Sequence, residues 1–321
     1  MENQDELHNE HDKLFKATFK QKQVVIDYLT YYFPPKITAL IDLDSLTLDN
    51  TNYVSRKMNE YFSDIVYRAK AKDNKKEFAI ALLFEHKKAP SSKIYLQFLE
   101  YQLGIWYEDI SHRRPLTVVI PIVIYQGLKT WNQKAFSEYF RNIPVELKRF
   151  IPHFDYHLTS VKDLDDSQVL LLNDKSLLHT LFLAYKHLHD NEYVKSHFND
   201  FFIFFNEKPE LEQIFSIFIE YFYKNSELSD EMIYELVEEH LESNLKPKIM
   251  STYEQIGLKF LQKGKIEGKI EGKTEGETLK NQKVIHKAWL KGYSIVEISD
   301  LTDTPIEEVK KIIEGFEKNA H

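Results

Sequence analysis

The chain has 321 residues, 43% of them hydrophobic and none of them cysteine, so disulfides, thiolate nucleophiles and cysteine zinc sites are excluded. Fifty acidic against 42 basic residues give a net charge of −8, which excludes a protein that coats nucleic acid with a uniformly basic surface. The first ten residues are polar, and the longest apolar stretches, Thr117–Tyr125 and Ile214–Phe222, fall short of the roughly 20 residues a membrane span needs. These features predict a soluble cytoplasmic protein without a membrane partner.

In chain order, residues 11–33 read as one helix. His11-Asp12 is placed to cap it or to reach a site, and Leu14, Phe15, Phe19, Val25, Tyr28 and Leu29 give it an apolar face. Pro34-Pro35 ends it. Residues 40–49 alternate apolar and polar, as a half-buried strand does. Tyr61–Ala69 and Glu77–Lys87 read as two further strands, and the polar turn Lys72–Lys76 makes them an antiparallel hairpin. Between Arg56 and Lys93 the charge reverses locally, with ten Lys/Arg against five Asp/Glu.

Residues 93–110 predict an amphipathic helix with Leu96, Leu99, Leu103 and Trp106 on one face. Leu116–Tyr125 reads as a strand covered on both sides, in which Pro121 marks a bulge because it cannot donate to the ladder. A last strand is expected near Phe154–Val161, and residues 165–260 read as helical. His153 and His157 stand four apart. That spacing suits zinc only on a helix, and here it falls on strand or loop. Asp163, Asp165 and Asp166 read as a solvated turn, and Glu235, Glu238 and Glu239 as the solvent face of a helix. There is no phosphate-cradling glycine loop.

Gln262–Glu277 is a tetrapeptide repeat with Gly264, Gly268, Gly272 and Gly276 four apart. It reads either as a charged linker or as a helix whose glycine face lets a second copy approach closely, giving a homodimer. Residues 279–318 predict three short helices, with a Ser294 cap and Glu307-Glu308 in the last first turn, resembling a helix-turn-helix. The expected division is 8–165, 166–261, 262–278 and 279–318.

The chemistry concentrates on the hairpin. Glu85 and Lys87, two apart on a strand, project to one side, and the hairpin can bring Asp64 beside them. Two carboxylates with the backbone carbonyl of His86 make a hard oxygen site suited to Mg²⁺ or Mn²⁺. The His86 side chain should point the other way. Asp–x20–Glu-x-Lys is a weak pattern alone; the order of helix, strand, acidic hairpin, helix and strand strengthens it. Gln97-Phe98-Leu99-Glu100-Tyr101 adds a Gln-x-x-x-Tyr spacing that sets Gln97 and Tyr101 on one helical face. Core packing is the plainer reading of Tyr101.

His11-Asp12-Lys13-Leu14-Phe15-Lys16, Leu83-Phe84-Glu85-His86-Lys87, Tyr101–Trp106 and Pro121–Gly127 together resemble the Rpn, or YhgA-like, family of recombination-promoting nucleases, over about residues 8–260. The resemblance implies an α/β PD-(D/E)XK core of order αβββαβ, followed by a helical region and a small helical module. It also implies a bacterial, magnesium-dependent DNA endonuclease linked to recombination, mobile DNA or phage defence. Asp64, Glu85, Lys87, Gln97 and Tyr101 would act, and Ser63 stands where the family pattern has proline. The alternative reading is a DNA-binding regulator that works through residues 279–318, with the nuclease fold as scaffold.

Overall fold

The computed structural model describes residues 2–49, 65–72, 79–170, 176–208, 210–241, 245–252, 254–255, 276, 278 and 280–318. The chain divides into two compact units, Met1–Tyr253 and Glu254–His321. Among the described residues no helix is long and apolar enough to cross a membrane. The polar turn Lys72–Lys76 lies outside the described residues beyond Lys72, and the glycine repeat lies outside them except for Gly276.

The first unit is mixed α/β. Three helices, α1 (Glu2–Phe19), α2 (Lys22–Tyr31) and the short α3 (Pro35–Thr38), lead into β1 (Ile41–Asp49), β2 (Ile65–Ala71) and β3 (Ala79–Lys87). Next come α4 (Ile94–Ser111), β4 (Val118–Tyr125) and β5 (His157–Ser160). The strands form one sheet in the order β1-β2-β3-β4-β5. β1, β2 and β3 pair antiparallel, whereas β3, β4 and β5 run parallel. Parallel neighbours need a crossover, and α4 supplies it between β3 and β4.

β3 is central, and all of it from Ile80 to His86 is buried, so successive side chains feed two separate cores. On one face Ala81 and Leu83 join Val66, Val123, Tyr125 and the α4 residues Ile94, Phe98, Tyr101 and Ile105. On the other, Phe84 meets Phe19 and Tyr28, with ring centroids 5.1 and 5.5 Å apart. Burying each such ring contributes about 1.5–3 kcal/mol. The Tyr28 hydroxyl lies 2.7 Å from Thr159 Oγ1 and ties α2 to β5.

The helix expected over 11–33 is two helices, and His11-Asp12 lies inside the first rather than capping it. Gln21 adopts an extended conformation at the break, and the Lys20 carbonyl there accepts a hydrogen bond from the Tyr67 hydroxyl at 2.8 Å. Bending the chain at this point lets both apolar stripes reach the same sheet face. Pro35, expected to stop a helix, begins α3, where its missing amide costs nothing.

On α4 the expected face is displaced. Leu96 and Leu103 are exposed, Leu99 and Trp106 pack only partly, and the buried stripe runs Ile94, Tyr95, Gln97, Phe98, Tyr101, Gln102 and Ile105. The helix is apolar on more than one side, and the sheet selects which side it covers. Pro121 makes no bulge. It sits in unbroken parallel register opposite Leu83, and β5 pairing begins one residue later at Ile122, so on that side no ladder partner is lost. Asp166 is not a free member of a solvated turn, since it begins a helix and pairs with Lys186 at 2.6 Å and His187 at 2.9 Å. Glu235, Glu238 and Glu239 are exposed on the helix Asp230–His240.

In the second unit, residues 280–290 are helical, Gly292 takes φ +85°, and the Ser294 side chain accepts from the Glu297 amide in a capping box. Helices Ile295–Thr302 and Ile306–Lys318 follow. Ile285, Ala288, Ile298, Val309 and Ile313 form the core of this unit.

Candidate active site

β3 and β4 end side by side, with Lys87 opposite Tyr125. Open sheets of this kind place ligands at the carboxyl ends of parallel strands. At this end Glu85 is 1% exposed, and its Oε1 lies 2.9 Å from Lys87 Nζ. The two side chains therefore project together, as two-residue spacing on a strand requires. A carboxylate this deep is costly unless a cation or metal compensates it.

Strand alternation puts Glu85 and Lys87 on the face that carries Ala81 and Leu83, which α4 covers. Gln97 and Tyr101 both belong to the buried stripe of α4 on that face. Gln97 Nε2 is buried without a hydrogen-bond partner among the described residues. Tyr101 packs in the apolar cluster. Asp64 lies outside the described residues; in sequence it directly precedes Ile65, the β2 residue that pairs with Phe84, the neighbour of Glu85. Among the described residues, no group of three or more His, Cys, Asp or Glu is placed to hold a metal. His153 is exposed in a loop, and His157 opens β5 with its ring 4.9 Å from that of Phe33.

The His86 side chain points to the opposite face. There its Nδ1 lies 3.0 Å from Asp12 Oδ1, and its ring stacks on Phe15 at 5.2 Å. Gln126 Nε2 donates to His11 Nδ1 at 2.7 Å. Asp12 and His11 thus reach the back of the strand end that carries Glu85. The sequence offers His11-Asp12 as a cap or as reaching the site, and it does not single out Gln126. The only signal was that the two polar residues precede the apolar stripe of Leu14, Phe15 and Phe19.

Burial, then the charges of Lys88 and His86, holds the His11 imidazole far below its usual 6.5, at about 2. In the fold His11 stays neutral where the unfolded chain takes up a proton. Its contribution to stability is therefore intact above about pH 6.5 and declines below it, by about 1.4 kcal/mol per pH unit. Between pH 7.5 and 5 this group is expected to remove about 2 kcal/mol of stability in the wild type and none in His11→Asn. Urea unfolding at the two pH values measures the difference, and an equal loss in both proteins rules out a neutral His11.

A mixed sheet whose central strand ends in a buried carboxylate paired with a lysine defines a class, an α/β protein with a carboxylate–lysine pair at the carboxyl edge of the sheet. Residues 9–214 match the family described as putative transposase, YhgA-like, and the chain belongs to that family. It is 29% identical to recombination-promoting nuclease RpnD of Escherichia coli O157:H7 over 122 residues, 37% of this chain and 46% of the relative. Its identity to recombination-promoting nuclease RpnA of Escherichia coli K12 is 25% over 121 residues, 37% of this chain and 41% of the relative. A further relative from the same strain, at 22% over 119 residues, 36% of this chain and 39% of its own length, is the inactive recombination-promoting nuclease-like protein RpnE. The matched stretch spans less than half the length of these relatives. No solved structure matches the chain.

Proposed function

We propose that the chain is a metal-dependent DNA endonuclease of the PD-(D/E)XK type that promotes recombination. The observation that carries this is the Glu85–Lys87 pair, with Glu85 buried at the strand end on the sheet face that α4 covers. The element order α–β–β–β–α–β agrees with it. Asp64, Glu85 and the His86 carbonyl would hold Mg²⁺ or Mn²⁺, a set of hard oxygens that fits those ions. When bound, such an ion polarises a phosphate oxygen and lowers the pKa of a water.

The side chains do the rest. Lys87 orients the attacking water and offsets the charge that grows on the phosphate. Gln97 donates to that water or to a phosphate oxygen, and Tyr101 sets the wall beside it. The names of the relatives support a nuclease. Glu85 and Lys87 are intact here, as is Asp64.

The second unit is a weaker candidate for reading DNA. In a helix-turn-helix the start of the second helix faces the groove. Here that helix opens with Glu307 and Glu308, whose charge opposes phosphate.

Plasmid cleavage tests the proposal. Purified protein is expected to cut with Mg²⁺ or Mn²⁺, to stop in EDTA, and to lose cutting in Asp64→Ala. Cleavage that survives EDTA or the Asp64 substitution would sink it.

A further inference from the structure

Resting on the nuclease reading, we propose that the connection between β4 and β5 is a platform for unpaired DNA bases, so that the substrate is a strand with single-stranded character beside the cut. Thirty-one residues, 126–156, separate Tyr125 from His157. Connections longer than about 12–15 residues without regular structure are usually functional. This one contains only two 3₁₀ turns, Phe136–Tyr139 and Val145–Phe150.

The connection is nonetheless pinned in place. Trp131, Phe136 and Tyr156 are buried in the α4-side core, and Ile151 and Phe154 pack against it. Trp131 Nε1 donates to the Tyr156 hydroxyl at 3.0 Å, and the Tyr95 hydroxyl donates to the Lys134 carbonyl at 2.8 Å. It also starts at the site, where the Gln126 amide donates to the carbonyl of Lys87 at 3.1 Å.

Its surface charge is opposite in sign to that of the chain as a whole. In a protein of net charge −8, this segment carries five Lys/Arg against three Asp/Glu. Lys129, Lys134, Arg141, Lys148 and Arg149 are all exposed. None of the five forms an ion pair with a carboxylate among the described residues.

Among these cations stand large apolar side chains in water, with Leu128 81% exposed, Phe150 74% and Val145 69%. The Arg149 guanidinium carbon lies 5.4 Å from the centre of the Phe150 ring, a planar pair facing solvent. Duplex backbone needs only the cations. Cations with an exposed ring and a guanidinium plane match phosphates whose bases are unstacked and available.

Fluorescence anisotropy of the full chain in EDTA, with a labelled single strand and the same sequence as duplex, tests this apart from catalysis. The wild type is expected to prefer the single strand. Phe150→Ala should weaken single-strand binding about tenfold and duplex binding less than about twofold. Arg149→Glu should weaken both and flatten the salt dependence. Phe150 is exposed, so its loss leaves the core intact, and an unchanged melting temperature checks that. The proposal is overturned if the wild type shows no single-strand preference, or if Phe150→Ala changes neither substrate or both equally. Selective loss in Phe150→Ala, with no cleavage in any metal, would uphold the platform and refute the nuclease.

Discussion

Glu85→Gln is expected to lower DNA cleavage by at least about 10²–10³-fold while leaving a folded protein. Glutamine keeps the shape of the side chain and removes its charge. The site then loses one of two carboxylates proposed to hold the cation, and Lys87 loses the anion 2.9 Å from its ammonium. Lys87 is partly exposed and can turn to water, so the cost to folding stays small beside the cost to catalysis. Two measurements separate these effects. Single-turnover cleavage at saturating Mg²⁺ reads the chemistry. Calorimetric titration with Mn²⁺ reads the site, and its affinity should fall in the variant. Cleavage within tenfold of wild type, with unchanged Mn²⁺ affinity, would move the active site elsewhere.

Asp109→Ala should unfold the first unit at a markedly lower temperature without touching the site. Asp109 is fully buried at the end of α4. Its Oδ1 is 3.3 Å from both Arg68 Nη1 and Arg114 Nη2, and its Oδ2 accepts from the Thr117 amide at 2.9 Å. Arg68 also binds Asp49 at 2.6 Å and Glu108 at 3.1 Å, so one guanidinium joins β1, β2 and α4.

Burial alone would raise the Asp109 carboxyl, but hydrogen bonding from Thr117 and the two arginines bring it below the usual carboxylate value. Its stabilisation is present above the ordinary carboxylate range and is lost as pH falls through the depressed value. Removing one partner of a buried pair costs about 3–5 kcal/mol. For a unit of this size that corresponds to a fall of roughly 6–20 °C in melting temperature, read by calorimetry near neutral pH. A shift under about 2 °C would show that the network adds nothing to stability.

These two residues differ in how far the sequence exposes them. Glu85 and Lys87 were legible because strand spacing alone sets them side by side, whatever packs around them. Asp109 was not, because it looks like any acidic residue near a helix end. Only the meeting of α4 with Arg68 and Thr117, 41 positions before it and 8 after, makes it structural. Gln97 and Tyr101 fall between. Their spacing predicted a shared helical face, but the leucines Leu96 and Leu103 pointed to a different face as the buried one.

The sequence by itself determined the strand order along the chain, the antiparallel pairing of β2 with β3, the opposite directions of Glu85 and His86, and the Ser294 cap of the helix Ile295–Thr302. Each depends on local periodicity or on a capping residue, which act over a few positions. The tertiary structure alone decided which side of α4 is covered, why Pro121 is tolerated, that the helix near residue 20 must break, and that Asp12 backs His86 across 74 positions. These outcomes follow from competition among several apolar faces for one sheet. A periodic pattern shows that a face exists, and only packing selects which one is buried.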